Sequence, residues 1–139
     1  ETTRKIGNKS LPATAYSARV QIKVIPDKPK AAKPGSLLLS VTNTGTETWP
    51  CEFVGASARF VKPGETALQP FDNRLYFNID FPPQRTYDFI MPVVFPAKPG
   101  KYIVQVDLVH ELVTWFSNRG MKMPEVQVDV EEAGPDLSM

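Results

Sequence analysis

The fold class this sequence predicts is an all-β, antiparallel sandwich of about eight short strands. Three observations predict it. Apolar and polar residues alternate with period two in segment after segment, whereas the apolar repeat of a long amphipathic helix does not emerge. Turn residues punctuate these segments every eight to twelve positions or so. Fourteen prolines and eight glycines in 139 residues favour short strands joined by tight turns. A chain of this length buries a sandwich-sized core without metal or disulfide staples.

In chain order, residues 1–16 are polar, lack sustained periodicity, and read as a flexible N-terminal arm or linker. The sandwich is assigned to 17–132 and a C-terminal tail to 133–139. Residues 17–25 alternate Ala18, Val20, Ile22 and Val24 with Arg19, Gln21 and Lys23, the pattern of a strand with one wet face. Prolines at 26, 29 and 34 bracket a loop. Residues 36–43 point Leu37, Leu39 and Val41 inward. Leu38 breaks the outward polarity of Ser40 and Thr42, which places it under a neighbouring loop or a partner. Asn43-Thr44-Gly45-Thr46 is a turn, 56–61 a short strand, and 64–72 a loop. Residues 74–81 form a further strand, with Leu75, Phe77, Ile79 and Phe81 on one face and Arg74, Tyr76, Asn78 and Asp80 on the other.

Residues 86–95 follow, where Pro92 confines the strand to an edge or a bulge. The most informative stretch is 99–120. Pro99-Gly100 opens a strand whose Tyr102, Val104, Val106 and Leu108 oppose Ile103, Gln105 and Asp107. A hairpin partner over 113–116 follows, and Asn118-Arg119-Gly120 closes it. Residues 125–131 make a terminal strand.

Sixteen basic and fifteen acidic residues leave a net charge of +1, which provides no basic field for nucleic acid. The early basic excess (Arg4, Lys5, Lys9, Lys28, Lys30, Lys33) reads as a solvated tail and loop because no aromatic residues are interleaved with it. No apolar run reaches the length of a membrane span and no charged-then-apolar leader is seen, so neither membrane insertion nor a signal peptide is expected. With Cys51 as the single cysteine, no intrachain disulfide forms, which fits a reducing compartment.

Reactive groups are sparse. His110-Glu111 lacks the second histidine of a zinc protease, since Thr114 occupies that position, and one His with one Cys makes no usual zinc set. No nucleophile elbow surrounds any serine and no glycine-rich phosphate loop is present, so no cofactor or metal is expected. Cys51 and His110 read as structural, the latter as a hydrogen-bonded surface or capping residue. Asp80, Asp107 and Glu111 are carboxylates whose spacing does not force them into an acid and base pair. For Trp49 and Trp115 alike, burial between the sheets is favoured over an exposed stacking platform. The outward face of 74–80 has two readings that stay open: an ordinary solvent face, or a site for a neutral polyhydroxylated ligand, with Tyr76 against C–H surface and Arg74, Asn78 and Asp80 binding hydroxyls. Gln105 and Asp107 join this candidate site if their strand lies in the same sheet.

At LSVTNTGTETWP (39–50), FPAKPGKYIVQVDLVHE (95–111) and VTWFSNRG (113–120) the chain resembles bacterial immunoglobulin-like domains of surface-polysaccharide assembly proteins. It is similar in particular to the carbohydrate-binding C-terminal modules of O-antigen ABC-transporter ATPases. The resemblance runs from about residue 17 to 131, and its last motif is the most specific. It implies an immunoglobulin-like fold and a non-catalytic module that recognises an O-antigen-type polysaccharide for export or assembly on the cytoplasmic side. It further implies a neighbouring ATPase or glycosyltransferase domain and, in many relatives, a homodimer. The chain departs from the pattern at Ala58-Arg59-Phe60-Val61, where relatives carry an H-W or Y-H-W element, so no sugar specificity carries over. The alternative is a structural or protein-interaction domain, for dimerisation or docking, without glycan binding.

Overall fold

The computed structural model describes residues 10–50, 52–64 and 73–133; Cys51, the loop over 65–72, residues 1–9 and the tail from 134 lie outside them. Eight strands are formed: β1 (Ala18–Val24), β2 (Pro34–Asn43), β3 (Val54–Val61), β4 (Asn73–Tyr76), β5 (Thr86–Val94), β6 (Gly100–His110), β7 (Thr114–Trp115) and β8 (Glu125–Val130). They make two antiparallel sheets, β1-β2-β5 and β4-β3-β6-β7, with β8 also paired to β6. This is the expected immunoglobulin-like β-sandwich. Among the described residues β5 pairs with β2 alone, and it carries Pro92 on this sheet edge, where a missing N–H costs no ladder bond. The hairpin forms as well, through Val109 opposite Trp115 and His110 opposite Thr114.

The inward faces are those the alternation marked. Leu37, Leu39 and Val41 of β2, Met91 and Val93 of β5, and Val104, Val106 and Leu108 of β6 are all buried in one core. At one end of it Trp49 is fully enclosed, with ring centroids 4.7 Å from Phe81, 5.1 Å from Phe116 and 6.3 Å from Phe77. Its indole N–H donates to the Ala15 carbonyl at 2.8 Å, which satisfies the one polar atom such a residue carries inside. Phe77 continues the cluster to Phe89 on β5, and Phe81 to Tyr87. The rings therefore bridge both sheets.

Two side chains explain why the corner motifs read as they do. The buried Asn43 amide donates to the carbonyls of Phe81 (2.8 Å) and Glu47 (3.0 Å), and its oxygen accepts from the Gly45 N–H at 2.8 Å. The turn is thus an Asx-type turn stapled to the segment that pairs Phe81 with Trp49. A side chain at position 45 would lie 2.5 Å from the Ala15 carbonyl oxygen, so only glycine fits there. At the start of β6, Tyr102 donates to the carbonyl of Lys98 at 2.8 Å. This is the tyrosine corner of immunoglobulin-like sandwiches, and it accounts for the P-G-x-Y spacing.

Three expectations are corrected. Residues 11–16 are not a loose arm: a short 3-10 helix at Ala13–Ala15 leads to Tyr16, which is buried, accepts from the Leu11 N–H (2.8 Å) and bonds His110 Nδ1 (2.9 Å). Polar composition concealed a single aromatic anchor. His110 is accordingly a buried partner of Tyr16 and not a surface cap. The strand expected over 74–81 ends at Tyr76, because Asn78 takes a left-handed backbone (φ 55°) that turns the chain so that Phe81 returns to Trp49. Asparagine tolerates that conformation, so alternation alone hides the break.

Replacing Tyr102 by Phe removes one hydrogen bond without a cavity and is expected to cost about 1 kcal/mol. Trp49→Ala is expected to cost roughly 3–5 kcal/mol. Urea denaturation followed by far-UV circular dichroism measures both.

Candidate functional site

The outward face of the five-stranded sheet is laid out by register. One transverse row reads Tyr76, Gly55, Val109 and Trp115 across β4, β3, β6 and β7. The next reads Arg74, Ser57 and Asp107, and the third Arg59, Gln105 and Glu125. Gly55 is required in the first row, since a Cβ there would meet the Leu75 carbonyl oxygen at 2.2 Å. Arg74 and Tyr76 thus do share a sheet with Gln105 and Asp107, the condition on which the wider site depended.

Glu111, just past the end of β6, gathers the first two rows. Its Oε2 accepts from the Arg74 guanidinium and, at 2.6 Å, from the Tyr76 hydroxyl. Arg74 also stacks over the Trp115 ring, 5.4 Å from its centroid. Burial opposes the Arg74 charge, but hydrogen bonds to Tyr76 and Glu111, with the field of Glu111, outweigh it and hold the guanidinium above its ordinary value. The hydrogen bond to Glu111, assisted by burial, raises the Tyr76 phenol above its ordinary 10.0. Both groups therefore keep their protons at neutral pH, the Tyr76 proton being donated to Glu111, and lie beside an aromatic surface. Tyr76 remains 37% exposed. The neighbouring row is a hydrogen-bonded ladder, with Arg59 Nε donating to Gln105 Oε1 at 2.7 Å and Gln105 Nε2 donating to Glu125.

The other expected site residues fare differently. Asn78 and Asp80 lie past the end of β4 on exposed backbone, where the Asn78 amide reaches the Tyr76 carbonyl at 3.4 Å. They do not extend that strand. Asp107 does not reach the surface. One carboxylate oxygen accepts from the N–H groups of Leu108 (2.8 Å) and Ser117 (3.0 Å), and the other from the Ser117 hydroxyl. It anchors the 3-10 helix Phe116–Arg119 from below. That helix also decides the fate of two consecutive aromatics: Phe116 enters the core, and Trp115, expected inside, turns to the outward face half-buried.

Glu111 and Trp115 are the residues the periodicity did not select, although both lie in the D-L-V-x-E-x-V-x-W motif. Asp107 and Glu111 are each engaged by partners of their own, and no acid and base pair is formed from them. Ser57, buried in the second row between Arg74 and Asp107, has an Oγ without a hydrogen-bond partner in the structure. Among the described residues no group of three or more His, Cys, Asp and Glu is placed to hold a metal ion. Nor is any helix there long and apolar enough to cross a membrane.

Burial raises Asp107 above the ordinary 3.8, prevailing over the hydrogen bonds from Ser117 and Leu108 that lower it. The folded state therefore favours the protonated acid. This contribution to stability is fully present below the unfolded value and is lost as pH rises through the raised one. Asp107→Ala is expected to destabilise by about 1–3 kcal/mol by orphaning the two N–H groups. Asp107→Asn keeps the acceptor, and relative to wild type it should gain stability as pH rises from acid to neutral; denaturation midpoints across pH check the sign.

No protein-family model matches the chain, and no curated protein does. Solved structures do match it. A CARDB domain from Pyrococcus furiosus, solved in complex with di-metal ions, gives a TM-score of 0.50 at 14% identity, covering 84% of this chain and 92% of that one. A β-glucosidase from Kluyveromyces marxianus gives 0.51 at 11% identity over 83% of this chain and 14% of the enzyme. At such identities the likeness is one of fold: an immunoglobulin-like, CARDB-type β-sandwich.

Proposed function

We propose that this chain is a non-catalytic accessory module that binds a neutral, polyhydroxylated ligand on the outward face of its five-stranded sheet. The ligand class is a bacterial surface polysaccharide of the O-antigen type. The observation that carries the reading is the Arg74–Glu111–Tyr76 cluster beside Trp115. It sets guanidinium, carboxylate and phenol groups that bind hydroxyls beside aromatic rings that offer a face for sugar C–H groups. Gln105 and Arg59 extend the surface along the sheet, and Asn78 and Asp80 form its lip. Asp107 supports it from beneath and makes no ligand contact.

The shape of the surface favours binding over chemistry. The groups present are paired donors and acceptors on a sheet face, where a hydrolase needs two carboxylates flanking a bond. In this reading the module works in the cytoplasm, tethered to an ATPase or glycosyltransferase, and holds the glycan for export or assembly.

One observation favours a second reading, docking to a protein or to a second copy. On the outward face of the three-stranded sheet, Val24, Leu38 and Ile90 stand in one register row, with Val24 56% and Ile90 70% exposed. Pro92 and Val94 prolong this apolar patch along β5.

Titration with O-antigen-type polysaccharide, followed by amide NMR, separates the two. Shifts are expected at Arg74, Tyr76, Glu111 and Trp115, and Tyr76→Ala should weaken binding about tenfold, the equivalent of ~1.4 kcal/mol. Shifts confined to β2 and β5, or none at millimolar sugar, would overturn the glycan reading. Concentration-dependent sedimentation abolished by Ile90→Lys would establish the docking one.

A further inference from the structure

We propose that the open edge of β1 is a strand-addition site for an extended, acidic polypeptide segment. Among the described residues β1 pairs only with β2, so its other edge offers main-chain donors and acceptors in regular register over 18–22, up to the register shift between Ile22 and Val24, with no proline to interrupt them. Two other sheet edges are blunted: β5 carries Pro92 and has its Val94 N–H taken by Asn73 Oδ1 at 2.9 Å, and β4 is only four residues long.

A groove of ≈ 840 Å³ lies beside the β1 edge, between residues 18–23 and the segment 122–126 that leads into β8. Val20, Ile22, Met123, Pro124 and Val126 supply its apolar lining. Each sheet ends here, β1 on one side and β8 on the other, and a strand laid between them would cover the half-buried Ile22, Met123 and Val126. The pairing register dictates what that strand carries. Val20 and Ile22 face the interior opposite Val41 and Leu39, while Arg19 and Gln21 face out opposite Thr42 and Ser40. An added strand must match this alternation, with apolar side chains inward and the others beside Arg19.

Charge selects the sign of those outward residues. Arg19, Lys23 and Lys122 line the groove, and its one acid, Glu125, already accepts a hydrogen bond from Gln105. The same charges disfavour a second copy of this chain. Antiparallel pairing of two β1 strands about Gln21 would set Arg19 of each copy against Lys23 of the other. The occupant is therefore an acidic segment of another polypeptide, about six residues long at ~3.3 Å per residue, with apolar and acidic residues in alternation.

The test is amide NMR of the full chain with a capped peptide of about eight alternating valine and glutamate residues. Shifts are expected over 18–23 and 122–126, with slowed amide exchange along β1. A lysine-for-glutamate peptide and a peptide N-methylated at alternate residues should both fail to bind, and joint Arg19→Glu and Lys23→Glu substitution should weaken binding about fivefold or more. Shifts elsewhere, no shifts at millimolar peptide, equal binding of the N-methylated peptide, or self-association of the free chain through β1 would each overturn the proposal.

Discussion

Enclosure of Trp49 is the contact on which the rest of the structure depends. The ring, carried just past the turn after β2, sits where the N-terminal segment, the return of the chain at Phe81 and the 3-10 helix after β7 converge, and they contribute the Ala15 carbonyl and the rings of Phe81 and Phe116 to it. Both sheets reach it through Phe77, Phe81 and Phe89. Aromatic pairs of this kind contribute roughly 0.5–1.5 kcal/mol each beyond the area they bury. In a chain without a disulfide, such a cluster does the work that a cystine bridge does in secreted immunoglobulin domains.

Because that end of the sandwich is fixed, the outward face above it can be polar without losing order. Asp107 holds the start of the 3-10 helix, the helix holds Trp115 on the surface, and Trp115 receives the Arg74 guanidinium. Glu111 then locks Arg74 and Tyr76 in place. The pairing is partly exposed and contributes little to stability. Its consequence is rigidity, since a hydrogen-bonded and stacked guanidinium loses less freedom when a ligand arrives.

The strand inventory was legible because period two is a strong signal wherever one face is buried. The inward sets of β2, β5 and β6 are those the alternation marks, and Pro92 reported an edge. What alternation missed depends on contacts between elements distant in the chain. Asn78 breaks β4 through a left-handed backbone that leaves no mark on the hydrophobic pattern. Tyr16 is a core residue in a polar segment because Trp49 and His110 need its neighbourhood, which no local window contains. Asp107 follows the wet-face alternation yet is buried, because Ser117 comes back to it from ten residues further on. Of the candidate site, the pair Arg74 and Tyr76 was visible as an outward-facing couple. Their organiser, Glu111, lies beyond the strand end, where periodicity says nothing.

Tryptophan fluorescence quenching by acrylamide, with and without O-antigen-type polysaccharide, tests the central claim most directly, because the two indoles report on the two halves of the account. Trp49 should be inaccessible throughout. Trp115 should be accessible in the free chain and shielded at saturating glycan, and this change should vanish in Trp115→Phe. Quenching of Trp115 that glycan leaves unaltered would contradict a binding surface on the outward face, and ready quenching of Trp49 would contradict the core on which that surface stands.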